Sequence, residues 1–215
     1  MRPLLRELLP LFERAHGAVI EVEFRLSAAL KRAIRDGAVF DIVILPRPEL
    51  DDLIALGAIV RGSAADVSRS TVGLAVRAGA TKPDIGSVEA LRRALLQAHS
   101  IAYSDGPSGA YVVGLLARLG IADEMASKTK LTSEPVAELI ARGEAELGMQ
   151  QIVAILPVRG AELVGPLPAE LQNVIIYAAG LSSRAPDAEA ATAFVAFMRG
   201  EQAKQLMRAN GLDPA

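Results

Sequence analysis

Apolar residues along the chain alternate between helical and strand spacing. Leu4, Leu5, Leu8, Leu9 and Phe12 recur three and four positions apart, which predicts an amphipathic helix closed by Gly17. Pro10 falls inside this pattern and predicts a kink, or a helix that begins near it. AVIEVEF (18–24) reads as a strand, and SAALKRAIRD (27–36) as a helix capped by Ser27 and stopped by Gly37. FDIVIL (40–45) carries β-branched residues on both parities, the pattern of a parallel strand covered on both faces. PELDDLIAL (48–56) is a helix opened by proline and closed by Gly57.

The alternation continues with TVGLAV (71–76) as a strand, SVEALRRALLQA (87–98) as a helix capped by Ser87, and SIAYS (100–104) as a strand. Helices are expected over 108–119 and 121–127, a strand over 128–132, a helix over 135–142, an extended ELGMQ (146–150) and a helical QIVAIL (151–156). VGPLP (164–168) reads as a turn-rich connection, NVIIYAA (173–179) as a strand, and DAEAATAFVAFMRG with EQAKQLMRAN as a closing helical pair. Strands interleaved with helices throughout imply an α/β architecture with mostly parallel sheets. No repeat period or low-complexity linker divides it.

Composition narrows the function classes. Of the 215 residues, 51% are hydrophobic, enough for a folded core. A formal charge of -2 offers no basic stripe, which argues against nucleic acid as a partner. The absence of cysteine removes disulfides, thiolate metal sites and cysteine nucleophiles. The best charge-free stretch, LQNVIIYAAGLSS (171–183), falls short of the roughly 20 apolar residues a membrane helix needs. Arg6 and Glu7 interrupt the opening apolar run, so it reads as a mature helix rather than an export signal.

The chemistry concentrates at helix starts. In SDGPSGAY a strand ends at Ser104, Gly106 and Gly109 permit a tight turn, and a helix opens with unpaired amides and the positive end of its dipole. That combination cradles anions, and Ser104 and Ser108 add hydroxyl donors. The glycine spacing does not match the dinucleotide fingerprint, and GPSGA has Ala110 where a nucleophile elbow needs glycine. Ser27 and the segment LTSEPVAEL open two further helices after strands. In an open α/β sheet such starts collect beyond the carboxyl ends of the strands, where ligands bind. His16 and His99 lack neighbours at metal spacing and read as structural or surface residues; Asp51, Asp52, Glu144 and Glu146 read as solvated charges. Arg25 and Arg47 follow strands, where a surface role is the simpler reading and an oxyanion contact the other.

With these residues assembled, the chain resembles the periplasmic molybdate-binding proteins of ABC importers. The likeness runs over FERAHG and Ser27, IRDGAVFDIVILP, PSGAYVVGLLARLGI, EPVAELIARGEAELGMQQ and FMRGEQAKQLMRANGL, in order and spacing. The resemblance implies a two-lobe type II periplasmic binding protein fold, with lobe one formed by 1–75 and 175–215, lobe two by 76–174, and TVGLAV and NVIIYAA as crossing strands. It implies a substrate-binding protein that captures a small anion in an interlobe cleft and works with a permease in the periplasm. The absence of a leader in this chain leaves a cytoplasmic location open. Ligand contacts carried over are Ser27, Ser108, Gly109, Tyr111, Pro135, Val136, Gln150 and Gln151, with no cofactor or metal. The family's first strand and its serine-bearing loop have no counterpart before Met1, so that strand is expected to be missing or supplied by a second copy. Gln151 stands where the family carries tyrosine, and the amides of Gln150 and Gln151 suit carboxylates as well as tetrahedral oxyanions. Two other readings stand beside this one. An isomerase of small polycarboxylates such as aconitate would draw its base from Asp105, Glu134, Tyr103, Tyr111 or Tyr177. A ligand-sensing domain of a regulator would need a basic helix-turn-helix that the chain lacks.

Overall fold

The computed structural model describes residues 1–25, 27–105 and 107–215. The chain divides into two compact units, Met1–Arg69 with Ile175–Ala215, and Ser70–Val174. The interleaved α/β pattern holds in both, but the sheets are mixed rather than mostly parallel.

The first unit begins with α1 (Arg2–His16), one continuous helix that starts well before Pro10 and ends on Gly17 at φ 68. Its buried stripe is Leu4, Leu5, Leu8 and Phe12. Phe12 meets the Phe194 and Phe197 rings edge-on at 5.1 and 5.4 Å, and His16 stacks on Phe12 at 4.2 Å, which accounts for that histidine structurally. Both phenylalanines come from α9 (Ala188–Met198), which leads into α10 (Glu201–Ala209). Residues 18–25 form no strand, and Val19 is 85% exposed there. No described strand pairs with this segment, and alternation without a ladder partner does not make a strand.

After α2 (Ser27–Arg35) the sheet of this unit runs in the order β1 (Ile42–Pro46), β8 (Ile175–Leu181), β2 (Ala65–Ser70), β9 (Asp213–Pro214). β1 pairs antiparallel with β8, from Ile42 opposite Leu181 to Pro46 opposite Tyr177. It is therefore an edge strand with one buried face, on which Val43 and Leu45 pack with Leu50 and Leu53 of α3 (Arg47–Ala55). The β-branched residues on its other parity are only partly covered, which corrects the doubly covered parallel strand expected from the sequence.

In the second unit the order is β5 (Thr129–Thr132), β4 (Ile101–Ser104), β6 (Leu147–Gln151), β3 (Val72–Arg77), β7 (Ala161–Pro166). β4 runs parallel to both β5 and β6, whereas β3 is antiparallel to β6 and β7. Because β3 is hydrogen-bonded between β6 and β7, residues 72–75 belong to this unit and not to the first. One face of β4 turns Ile101 and Tyr103 into the main core with α4 (Val88–Gln97) and α5 (Pro107–Arg118). The other turns Ala102 toward α7 (Val136–Arg142). Small residues at Ala102 and Gly148 let α7 approach, since a Cβ at Gly148 would press on Val136 and Ile140. Two short helices, α6 (Ala122–Ala126) and α8 (Ile152–Ile155), complete the unit. β7 replaces the expected turn: as an edge strand it tolerates Gly165 and Pro166, which masked it in the sequence.

Ser87 caps α4 by accepting from the Ala90 amide at 3.1 Å. Replacing it with alanine orphans that donor, so Ser87→Ala is expected to lower the unfolding free energy by about 1 kcal/mol, measured by urea denaturation.

Candidate functional site

The three parallel strands of the second unit end together. Ser104 closes β4, Thr132 closes β5 and Gln151 closes β6, and β3 begins at the same edge with Val72 opposite Gln151. A parallel arrangement leaves this edge free for helix starts, and α5 and α7 both open from it.

At the start of α5 the Ser104 and Ser108 hydroxyls lie 2.8 Å apart, so one donates to the other and the pair retains a donor. Ser108 is half-buried and Gly109 buried. A Cβ at Gly109 would overlap the Ser104 carbonyl, so glycine here lets the first turn of α5 settle on the end of β4. Gly106, expected to ease the same turn, lies outside the described residues. Tyr111 points elsewhere: its hydroxyl donates to the Leu171 carbonyl, and burial pushes the phenol above its ordinary pKa. Arg118 donates to the neighbouring Glu170 carbonyl at 3.0 Å, so α5 clamps the turn at Ala169–Leu171 through both side chains.

At α7, Pro135 occupies the N-cap and offers no side-chain cap. Gln150 supplies it instead: its Oε1 accepts from the Ala137 amide at 3.3 Å. An amide N–H can only donate, which fixes the oxygen of Gln150 toward the helix and leaves its NH2 facing away from that bond. The neighbouring Gln151 accepts the Ser70 hydroxyl through Oε1 at 3.1 Å. Neither NH2 group donates to a described residue. Val136 is buried beneath this arrangement.

The edge thus gathers Ser108, Gly109, Pro135, Val136, Gln150 and Gln151 in one unit. Tyr111 is committed to packing, and Ser27 lies in the other unit as the half-buried first residue of α2. Ser70 was not legible, because ADVSRS carries no apolar alternation and its strand is recognisable only by pairing. None of the edge residues is cationic. Arg25 is paired with Glu23 at 2.5 Å, and Arg47 with Asp51 and Asp66 at 2.9 Å each. Of the base candidates, Tyr103 is buried in the core and Glu134 holds Arg142 at 3.1 Å. Asp105 is exposed beside Ser104.

Residues 1–213 match the model of the family described as bacterial extracellular solute-binding protein. The chain belongs to that family. It is similar to an aconitate isomerase of Pseudomonas sp, 32% identical, with 98% of this chain and 83% of the relative aligned. Among solved structures, a substrate-binding domain assigned to a molybdenum ABC transporter of Clostridium difficile superposes with TM-score 0.86 at 16% identity, covering 100% of this chain and 94% of that one. The periplasmic molybdate-binding protein of Azotobacter vinelandii gives TM-score 0.73 at 19% identity, with 97% and 93% covered. At these identities the structures establish the fold, which is the α/β fold of the two-lobe periplasmic binding proteins expected from the sequence.

The close seating of α5 on β4 has a direct test. Gly109→Ala is expected to destabilise the protein by about 1–3 kcal/mol through overpacking against backbone, read as a lower thermal midpoint. An unchanged midpoint would show that the helix start is not held this tightly.

Proposed function

We propose that this solute-binding protein takes a small polycarboxylate of the aconitate type as its ligand, holds it at the strand-end edge of the second unit, and serves an importer permease outside the cytoplasm. The observation that carries this reading is the donor set. Serine hydroxyls and the helix start at β4, and the NH2 groups of two glutamines on the adjacent β6, offer neutral donors on separate strands about 4.8 Å apart. Carboxylates on separate carbons are matched by donors spread in this way, while a tetrahedral oxyanion is matched by donors converging on one point. The similarity to an aconitate isomerase, over 98% of this chain and 83% of that relative, supports the same ligand class. The fold neighbours named for molybdate support an oxyanion cargo at much lower identity.

A thermal-shift and calorimetry panel of cis-aconitate, trans-aconitate, citrate, molybdate and sulfate tests the reading. A tricarboxylate at 100 times its dissociation constant is expected to add about 2.7 kcal/mol of stability. Ser108→Ala is expected to weaken that binding by roughly tenfold or more, in line with a lost hydrogen bond to a charged group, with little change in the ligand-free midpoint. Stabilisation by molybdate or sulfate and by no tricarboxylate would replace this ligand with an oxyanion.

A further inference from the structure

We propose that Ser70 is a positioning residue that sets ligand specificity through Gln151. Its buried hydroxyl turns the Gln151 side-chain amide so that only N–H donors face outward, which selects ionised carboxylate oxygens over groups that carry an N–H. This rests on the site and ligand class just proposed. Ser70 is fully buried, and its hydroxyl reaches Gln151 Oε1 at 3.1 Å and no other described residue.

The two ends of a side-chain amide have nearly the same shape, so its partners decide which way it faces. Gln150 is settled by a backbone N–H, which can only donate. Gln151 meets a hydroxyl, which can donate or accept, so its orientation depends on what that hydroxyl needs. With the Gln151 NH2 group turned inward, the buried Ser70 proton would be stranded without an acceptor, the costly outcome. With the oxygen inward, the hydroxyl donates to it and the NH2 group is left outside. Glu49 Oε2 is the one buried side-chain oxygen or nitrogen among the described residues without a hydrogen-bond partner. Gln151 Nε2, which donates to none of those residues, is therefore open to solvent.

The backbone keeps Ser70 at this post. Gln151 stands opposite Val72 in the β3–β6 ladder, and Ser70 precedes Val72 by two residues, so the extended chain carries both on the face that Gln151 shares. The Ile152 amide donates to the Thr71 carbonyl at 2.9 Å. Gln172 grips the next residue through both ends of its amide: the Val72 N–H donates to Oε1 at 2.8 Å, and Nε2 donates to the Val72 carbonyl at 3.0 Å. Further bonds, to the Leu167 carbonyl at 3.3 Å and from the Asn173 amide at 3.0 Å, leave Gln172 fully engaged. Held in this way, the segment cannot slide along β6 and carry the Ser70 hydroxyl off Gln151.

A carboxylate oxygen accepts from the outward NH2 group in a charge-assisted bond. An amide nitrogen in the same place would set N–H against N–H and leave both without an acceptor, a mismatch of the kind that discriminates strongly between ligands. Without the Ser70 hydroxyl, Gln151 can turn end for end and accept from such a ligand. The distinction is then lost, although Ser70 itself touches no ligand.

Calorimetry of trans-aconitate and each of its monoamides with the full chain tests the proposal, the readout being the ratio of acid to amide affinity. Ser70→Ala is expected to narrow that ratio about tenfold for one monoamide, in line with one hydrogen bond to a charged group. Ser70→Thr keeps the hydroxyl and is expected to restore it. In a Gln151→Ala background, Ser70→Ala is expected to change the ratio no further. An equal loss for every ligand, or a loss that persists without Gln151, would overturn the proposal, because a merely structural serine gives that result. Ser70→Cys, similar in shape but a weak donor, is expected to narrow the ratio part-way and serves if the alanine variant melts below the assay temperature. If the wild type binds molybdate or sulfate and no tricarboxylate, the ligand reading falls alone. Ser70→Ala is then expected to weaken that anion about tenfold only where Gln151 is present, and no loss overturns the positioning role as well. Binding of none of these anions removes both.

Discussion

Three parallel strands that end on one edge impose a constraint on everything around them. Helices opening from that edge bring first-turn amides that have no carbonyl one turn back, and each must find a partner or face a guest. The second unit resolves this unevenly. Gln150 satisfies α7 by accepting from Ala137. At α5 a glycine lets the first turn sit hard against the last carbonyl of β4, with the Ser104 and Ser108 hydroxyls alongside. Gln151, tied to Ser70 through its oxygen, adds an NH2 group with no described acceptor. The result is an edge of neutral donors with no fixed cation, which suits an anion whose charge is spread over several oxygens.

Much of this organisation was legible in the chain. The caps at Ser87 and Gly17 and the turn-to-helix SDGPSGAY each have a local physical cause, so the sequence announces them. What escaped depended on partners. AVIEVEF alternates like a strand yet has no described neighbour to pair with, while ADVSRS lacks alternation yet becomes β2 because β8 and β9 pair with it on either side. AELVGP was hidden by a glycine and a proline that only an edge strand accommodates. The direction of pairing was misread for FDIVIL, since residue type reports burial and not which strand lies alongside.

The site was legible in its residues and not in their duties. Ser108, Gly109, Val136, Gln150 and Gln151 meet at one edge, but Gly109 is there for close packing, Gln150 for capping and Tyr111 for clamping the turn at Leu171. Such assignments require knowing which atom each side chain reaches. Glu49 is the opposite case: nothing in PELDDLIAL distinguishes it from a solvated helix acid. Only the coincidence of a proline N-cap with an occupied Arg47 leaves its oxygen without a donor.

The central claim is that a bound anion occupies the strand-end edge of the second unit. Amide hydrogen exchange, followed residue by residue with and without saturating tricarboxylate, tests it most directly. The account predicts that added protection concentrates at the first turn of α5, around Ser108 and Gly109, and near Gln150 and Gln151. Tight binding that leaves the exchange of those amides unchanged while protecting others would contradict it.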